Sequence, residues 1–127
     1  MTIATVLLVE DNSDLRELLR TALVAWEYNV LAAEDGRRGL AFINNEAEKI
    51  DMLLVDITLP FLSGMNLCKV LNSKRPTTKC LMMSGYDEPP SGVGDRSSNC
   101  RFIQKPFRLH ELRTAIGDML AEGETKM

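Results

Sequence analysis

Five polar side chains stand at the ends of short apolar runs, and together their types could carry phosphoryl chemistry. Glu10 and Asp11 follow Thr5-Val6-Leu7-Leu8-Val9, and Asp56 closes Met52-Leu53-Leu54-Val55. Ser84 closes Cys80-Leu81-Met82-Met83, and Lys105 follows Arg101-Phe102-Ile103-Gln104. Carboxylates brought together repel one another, so they either take up protons or hold a cation. Oxygen donors with room for waters suit Mg²⁺. An ammonium opposite that cation is an anchor for a phosphoryl oxygen, and a serine hydroxyl adds a hydrogen bond to the same group. A carboxylate beside a metal and a lysine can itself be the nucleophile toward phosphorus. No single residue here is specific; the set at successive run ends is.

These residues converge only if the runs are strands of one sheet. The runs at 5–9, 52–56 and 80–84 are short and almost wholly apolar, as strands covered on both faces of a parallel sheet are. Asn29-Val30-Leu31-Ala32-Ala33 is a weaker strand candidate, and 101–104 is short. Between the first two runs, Leu15, Leu18, Leu19, Ala22, Leu23 and Trp26 recur at helical spacing. Asn12 or Ser13 can cap that helix, with Asp14 in its first turn. Further helices are predicted from Arg37 to Asn45, after Gly64 with Leu67, Val70 and Leu71, and at the end, where Leu109, Leu112, Ile116, Met119 and Leu120 form one stripe. Strand–helix alternation implies right-handed crossovers and an open α/β sheet. In such a sheet ligands bind outside the carboxyl ends of the strands, where the five residues would gather. A fourth helix due at Asp87–Asn99 is opposed by two prolines, two glycines and three serines, so a loop or one irregular turn is expected.

The chain has 127 residues, 45% apolar and 26% charged, with a formal charge of −3. That size predicts one domain, and the balance predicts a soluble globule. The longest uncharged apolar run, 3–9, is far short of a membrane span of ~20 residues. A mildly acidic chain without Lys/Arg clusters is a poor direct binder of nucleic acid. Three cysteines, Cys68, Cys80 and Cys100, fit neither a disulfide framework nor a zinc site. They are expected to be apolar fillers in a reducing, cytoplasmic setting.

This set of motifs resembles the receiver domain of two-component response regulators. The matching pieces are Glu10-Asp11, Asp56 with Pro60 and Gly64 four and eight residues on, Ser84-Gly85, and Lys105-Pro106-Phe107. Asp56 follows Asp11 by 45 residues and Lys105 follows Ser84 by 21. The resemblance covers about 5–120, with 122–127 a frayed tail. It implies a flavodoxin-like, doubly wound, five-stranded parallel sheet in the order 2-1-3-4-5, the fourth helix being short or irregular. It also implies that Asp56 accepts a phosphoryl group from a sensor histidine kinase or phosphotransfer protein. Glu10, Asp11, Asp56 and the Thr58 carbonyl would hold Mg²⁺, Glu10 through water. Ser84 and Lys105 would bind the phosphoryl oxygens, and Phe102 would rotate inward as Ser84 moves. Thr58 and Tyr86 flank the path of an attacking water and would tune hydrolysis. The bond between Lys105 and Pro106 would be cis. The product would be a changed surface for a downstream effector protein or domain, with no external metabolite turned over and no output segment in this chain. The Met-Ser-Gly-Tyr and Gln-Lys-Pro-Phe wording is similar to receivers of hybrid sensor kinases.

Each residue also has a plainer reading. Asp56 alone is a strand-end turn residue, Glu10-Asp11 a solvated loop pair, Lys105 a surface lysine and Ser84 a helix cap. Phe102 serves packing even if it never moves, and His110 is expected to be exposed and idle. Departures from the family pattern are Ser for Thr at 84, Phe for Tyr at 102, and the Pro/Gly/Ser-rich stretch. The last puts partner contact on the fifth strand and last helix, or makes the stretch order on phosphorylation. Two other functions compete: a phosphorylation-independent interaction module on the same fold, and a hydrolase with an aspartyl-phosphate intermediate. The hydrolase needs a general acid two residues past the nucleophile, where Thr58 stands.

Overall fold

In the computed structural model, which describes residues 4–59, 62–85 and 99–124, the apolar runs are strands β1 (Thr5–Val9), β2 (Asn29–Ala33), β3 (Met52–Asp56), β4 (Lys79–Ser84) and β5 (Cys100–Gln104). They pair in parallel in the order β2-β1-β3-β4-β5, the doubly wound arrangement expected. Helices α1 (Ser13–Ala25), α2 (Gly36–Asn44), α3 (Gly64–Lys74) and α4 (Leu109–Glu124) cover it. Period-two alternation divides the strand residues between two apolar layers. Leu7, Val9, Leu53 and Val55 pack with Ile43 of α2 and Leu67 and Leu71 of α3. Val6, Leu8, Met52 and Leu54 pack with Leu19 and Leu23 of α1 and Leu112, Ile116 and Met119 of α4. With both faces covered, β1 and β3 are buried along their whole length, which is why their sequences do not alternate.

The caps follow the local chemistry. Asn12 accepts from the Leu15 amide, Asp35 from Arg38 and Ser63 from Asn66, each satisfying a first-turn donor. Trp26 closes α1 half-buried, with the Arg113 guanidinium 5.8 Å from its ring centre. His110 is exposed, as expected.

Two expectations are corrected. Leu18 belongs to the periodic stripe of α1 yet is 53% exposed, and Leu109 is 39% exposed. Periodicity gives the direction of an apolar face, and these two lie on its margin. The cysteines are not all fillers. Cys68 of α3 and Cys100 of β5 are joined in a disulfide, while Cys80 is free and buried. The pairing comes from the crossover that lays α3 against the β4–β5 edge, which linear spacing does not encode. The loop expected at 87–99 lies outside the described residues except for Asn99, which accepts from the Lys79 ammonium and donates to the Pro76 carbonyl. The expected frayed tail falls partly on the last turn of α4 and otherwise outside the described residues. No helix among the described residues is long and apolar enough to cross a membrane.

Candidate functional site

Parallel pairing brings the carboxyl ends of β1, β3, β4 and β5 to one pole. The Glu10 amide continues the ladder to Ala33, that of Ile57 to Met83 and that of Lys105 to Ser84. Lys105 crosses back from the sheet edge over this pole. Its ammonium lies 2.8 Å from Asp56 Oδ2 and 3.4 Å from Glu10 Oε1. The other Asp56 oxygen, Oδ1, accepts from the Thr58 amide at 2.9 Å and the Thr58 hydroxyl at 3.1 Å. Asp56, Glu10 and Ser84 are buried, whereas Asp11 is exposed at the mouth. One carboxylate oxygen from each of Glu10, Asp11 and Asp56 falls within 4.8 Å of the others. An all-oxygen set of this spread fits a small, hard divalent cation that keeps part of its water.

The electrostatics follow from gathering like charges under cover. Burial lifts the Glu10 carboxyl from 4.5 to about 7; the Asn12 amide opposes that rise, the charge of Asp56 adds to it, and Lys105 opposes it. For Lys105, burial works against the charged form, but the carboxylates of Asp56 and Glu10 outweigh it and hold the ammonium above its ordinary value. Three carboxylates meet one ammonium at this pole, so a surplus of negative charge suits a cation while the ammonium suits an anionic group beside it.

Phe102 is half-buried on β5, paired with Met82 across the ladder. The Lys105–Pro106 bond is cis. Pro60 and Tyr86 lie outside the described residues. Arg16 was not singled out by its sequence, yet its Nη1 donates to the Glu10 carbonyl at 2.9 Å. Only the fold reveals that bond, because a lone arginine in a first helical turn carries no signal of its own. An apolar groove of about 480 Å³ is lined by Leu15, Leu18, Leu19, Pro106, Phe107 and Leu109 and shares Lys105 with the pole.

Gly64 shows how tightly the loop after β3 is drawn. A Cβ there would stand 2.5 Å from the Asp56 carbonyl and 2.8 Å from the Ile57 Cα. Gly36 likewise leaves no room for a Cβ against the backbone of Leu62. Backbone cannot move aside as a side-chain tip does, so Gly64→Ala is expected to cost about 2–3 kcal/mol in urea unfolding. An unchanged midpoint would show that the loop yields.

The response regulator receiver domain model matches residues 6–117. The chain is 32% identical over 108 residues to the response regulator RppA of Synechocystis sp., covering 84% of this chain and 46% of that protein. It is 31% identical over 118 residues to the sensor kinase CckA of Brucella abortus, covering 92% of this chain and 12% of that protein. The chain thus spans less than half the length of these two relatives. A solved structure of a CheY-like receiver domain protein from Methanospirillum hungatei superposes with a TM-score of 0.86 at 28% identity, covering 97% of this chain and 98% of that one. The strand order, the acidic pole and these likenesses lead to one assignment: the chain belongs to the response regulator receiver domain family of two-component systems.

Proposed function

We propose that this receiver is a phosphorylatable switch in which Asp56 accepts a phosphoryl group from a phosphohistidine on a sensor kinase or phosphotransfer protein. The observation that supports this most is the Lys105 ammonium, 2.8 Å from the Asp56 carboxylate and beside two more carboxylates at the same strand ends. Glu10, Asp11, Asp56 and the Thr58 carbonyl would hold Mg²⁺. When bound, that ion neutralises charge on the incoming phosphoryl oxygens. An Asp56 carboxylate oxygen attacks phosphorus as the bond to the donor imidazole nitrogen breaks. Lys105 then passes from the carboxylate to a phosphoryl oxygen, and the Ser84 hydroxyl donates to another. These bonds exist only in the modified state, and that difference biases Phe102 and the adjoining surface toward a second arrangement read by an effector. Water hydrolyses the acyl phosphate, with Thr58 and Tyr86 setting the rate.

On this reading residues 5–120 form one receiver, working in the cytoplasm and turning over no external metabolite. The hydrolase alternative is disfavoured because Thr58 offers no general acid. Acetyl phosphate with Mg²⁺ separates the readings. A lasting acyl phosphate on Asp56 is expected; rapid turnover with phosphate release would favour the hydrolase, and no reaction the interaction module.

The groove beside Lys105 fits a helix presenting the phosphohistidine, because a donor must cover the rim of the pole to reach Asp56. Leu18→Asp is expected to slow transfer from a phosphorylated donor protein roughly tenfold, the scale of one contact residue. Labelling by acetyl phosphate, which needs no docking, stays unchanged. Equal slowing of both would move Leu18 from docking to structure.

A further inference from the structure

Three sulfurs gather on the α3 side of the sheet, away from the acidic pole. Cys68, Cys80 and Cys100 come from α3, β4 and β5, all are buried, and their Sγ atoms lie within 4.8 Å of one another. Cys80 and Cys100 face each other across the ladder. Cys68 and Cys100 are bonded, and the exposed Asn72 directs its amide toward both, 3.7 Å from Cys100 Sγ and 4.0 Å from Cys68 Sγ. A soft metal on three thiolates is the first alternative, but three negative sulfurs in an apolar layer are costly. Exchange chemistry needs only one thiolate at a time.

We propose that Cys68 and Cys100 are a reversible oxidation site, closed by a small-molecule disulfide, that fastens the strand leading to Lys105 to α3 and restrains phosphorylation. The regulatory half rests on the reading of Asp56 given above. A thiolate at Cys100 attacks one sulfur of the reagent and expels the first small thiolate. The Cys68 thiolate then attacks the Cys100 sulfur of the mixed disulfide and expels the second. Two protein thiols are oxidised, the reagent is reduced, and the two protons end on the released thiols. Access comes by local opening of β5, which lies at the sheet edge. Cys80 is the bystander. It is fully enclosed, and burial pushes its thiol far from ionising. Asn72 addresses only the other two sulfurs among the hydrogen bonds described.

The consequence for signalling follows from topology. The link encloses a separation of 32 residues that includes β4 with Ser84, and it is anchored five residues before Lys105. It is present in the arrangement where Lys105 rests on Asp56, so it favours that arrangement over one in which Lys105 and Ser84 have closed on a phosphoryl group. In a reducing compartment the pair returns to thiols, as cytosolic disulfides with a signalling role do.

The test uses the full chain, reduced with dithiothreitol and then exposed to oxidised glutathione. After denaturation and alkylation, peptide mass spectrometry should find two of the three thiols lost, Cys68 linked to Cys100, and Cys80 alkylated. Retention of all three thiols, or a linkage through Cys80, overturns the site. Acetyl phosphate labelling should then be roughly fivefold or more slower in the oxidised than in the reduced protein, within the usual range of coupling. The difference should vanish in Cys100→Ser, or in Cys68→Ala should the serine disturb β5. Equal rates in the wild type overturn the regulatory half. Labelling of neither form removes the Asp56 reading and the regulation with it, while the mapped cross-link still stands.

Discussion

Asp56→Asn protein is expected to fold normally but to take up no phosphoryl group from acetyl phosphate and Mg²⁺, where the wild type is expected to gain one per chain by intact mass. The amide has no anionic oxygen to attack phosphorus, so the loss is complete rather than partial. Folding survives for an electrostatic reason. The substitution gives up the 2.8 Å ion pair with Lys105, but that ammonium keeps Glu10 at 3.4 Å. Removing one of three clustered carboxylates also relieves repulsion. Stability is expected to change by no more than about 1 kcal/mol in urea unfolding. Full labelling of the variant would take the acceptor role away from Asp56.

On the proposed reading, chelation of divalent metal should abolish labelling to the same extent, and Asp11→Asn or Glu10→Gln should raise the Mg²⁺ concentration that labelling needs. The stability of the metal-free protein supplies a second readout. Glu10 is raised from 4.5 to about 7 in the folded chain, first by burial and further by Asp56. A carboxyl whose value rises on folding binds more protons in the native state than in the unfolded one. Stability is then greatest below 4.5 and falls as pH climbs to about 7. The raised value of Lys105 adds stability that is present throughout this window and is lost only above its own titration. Glu10→Gln should flatten the decline and stabilise the metal-free protein near neutrality by about 1–3 kcal/mol. Because Mg²⁺ binds the ionised carboxylates, it should stabilise the wild type more strongly as pH rises. Thermal unfolding across this range, with and without Mg²⁺, gives both slopes. A metal-free stability that rises with pH would remove Glu10 from the charged pole.

The strands were legible because burial on both faces leaves a clear mark, as where Leu7 stands next to Leu8 and Leu53 next to Leu54 with no polar residue between; their order came with the family resemblance. The site was legible for a related reason, since Glu10, Asp56, Ser84 and Lys105 each interrupt or follow such a run. What the sequence could not carry depends on distances between elements. Leu18 and Leu19 are neighbours of the same type, and only the way α1 lies on the sheet decides that one is covered and the other open. Cys68 and Cys100 meet because of how α3 crosses the sheet, and Arg16 reaches Glu10 because α1 starts where it does. The engagement of Asp56 Oδ1 by Thr58 was equally hidden, since it depends on the local turn of the chain just past β3.

Lys105 stands at the border of two territories, the charged pole and the rim of the groove formed by α1 and the start of α4. On the proposed function, reactivity and recognition therefore meet in one side chain and separate everywhere else. On the proposed reading, the exposed Leu18 and Leu109 could be exchanged to suit a new kinase without disturbing the carboxylates, so a duplicated copy of this gene could be rewired to another signal by a few changes on helix flanks while its chemistry is inherited whole.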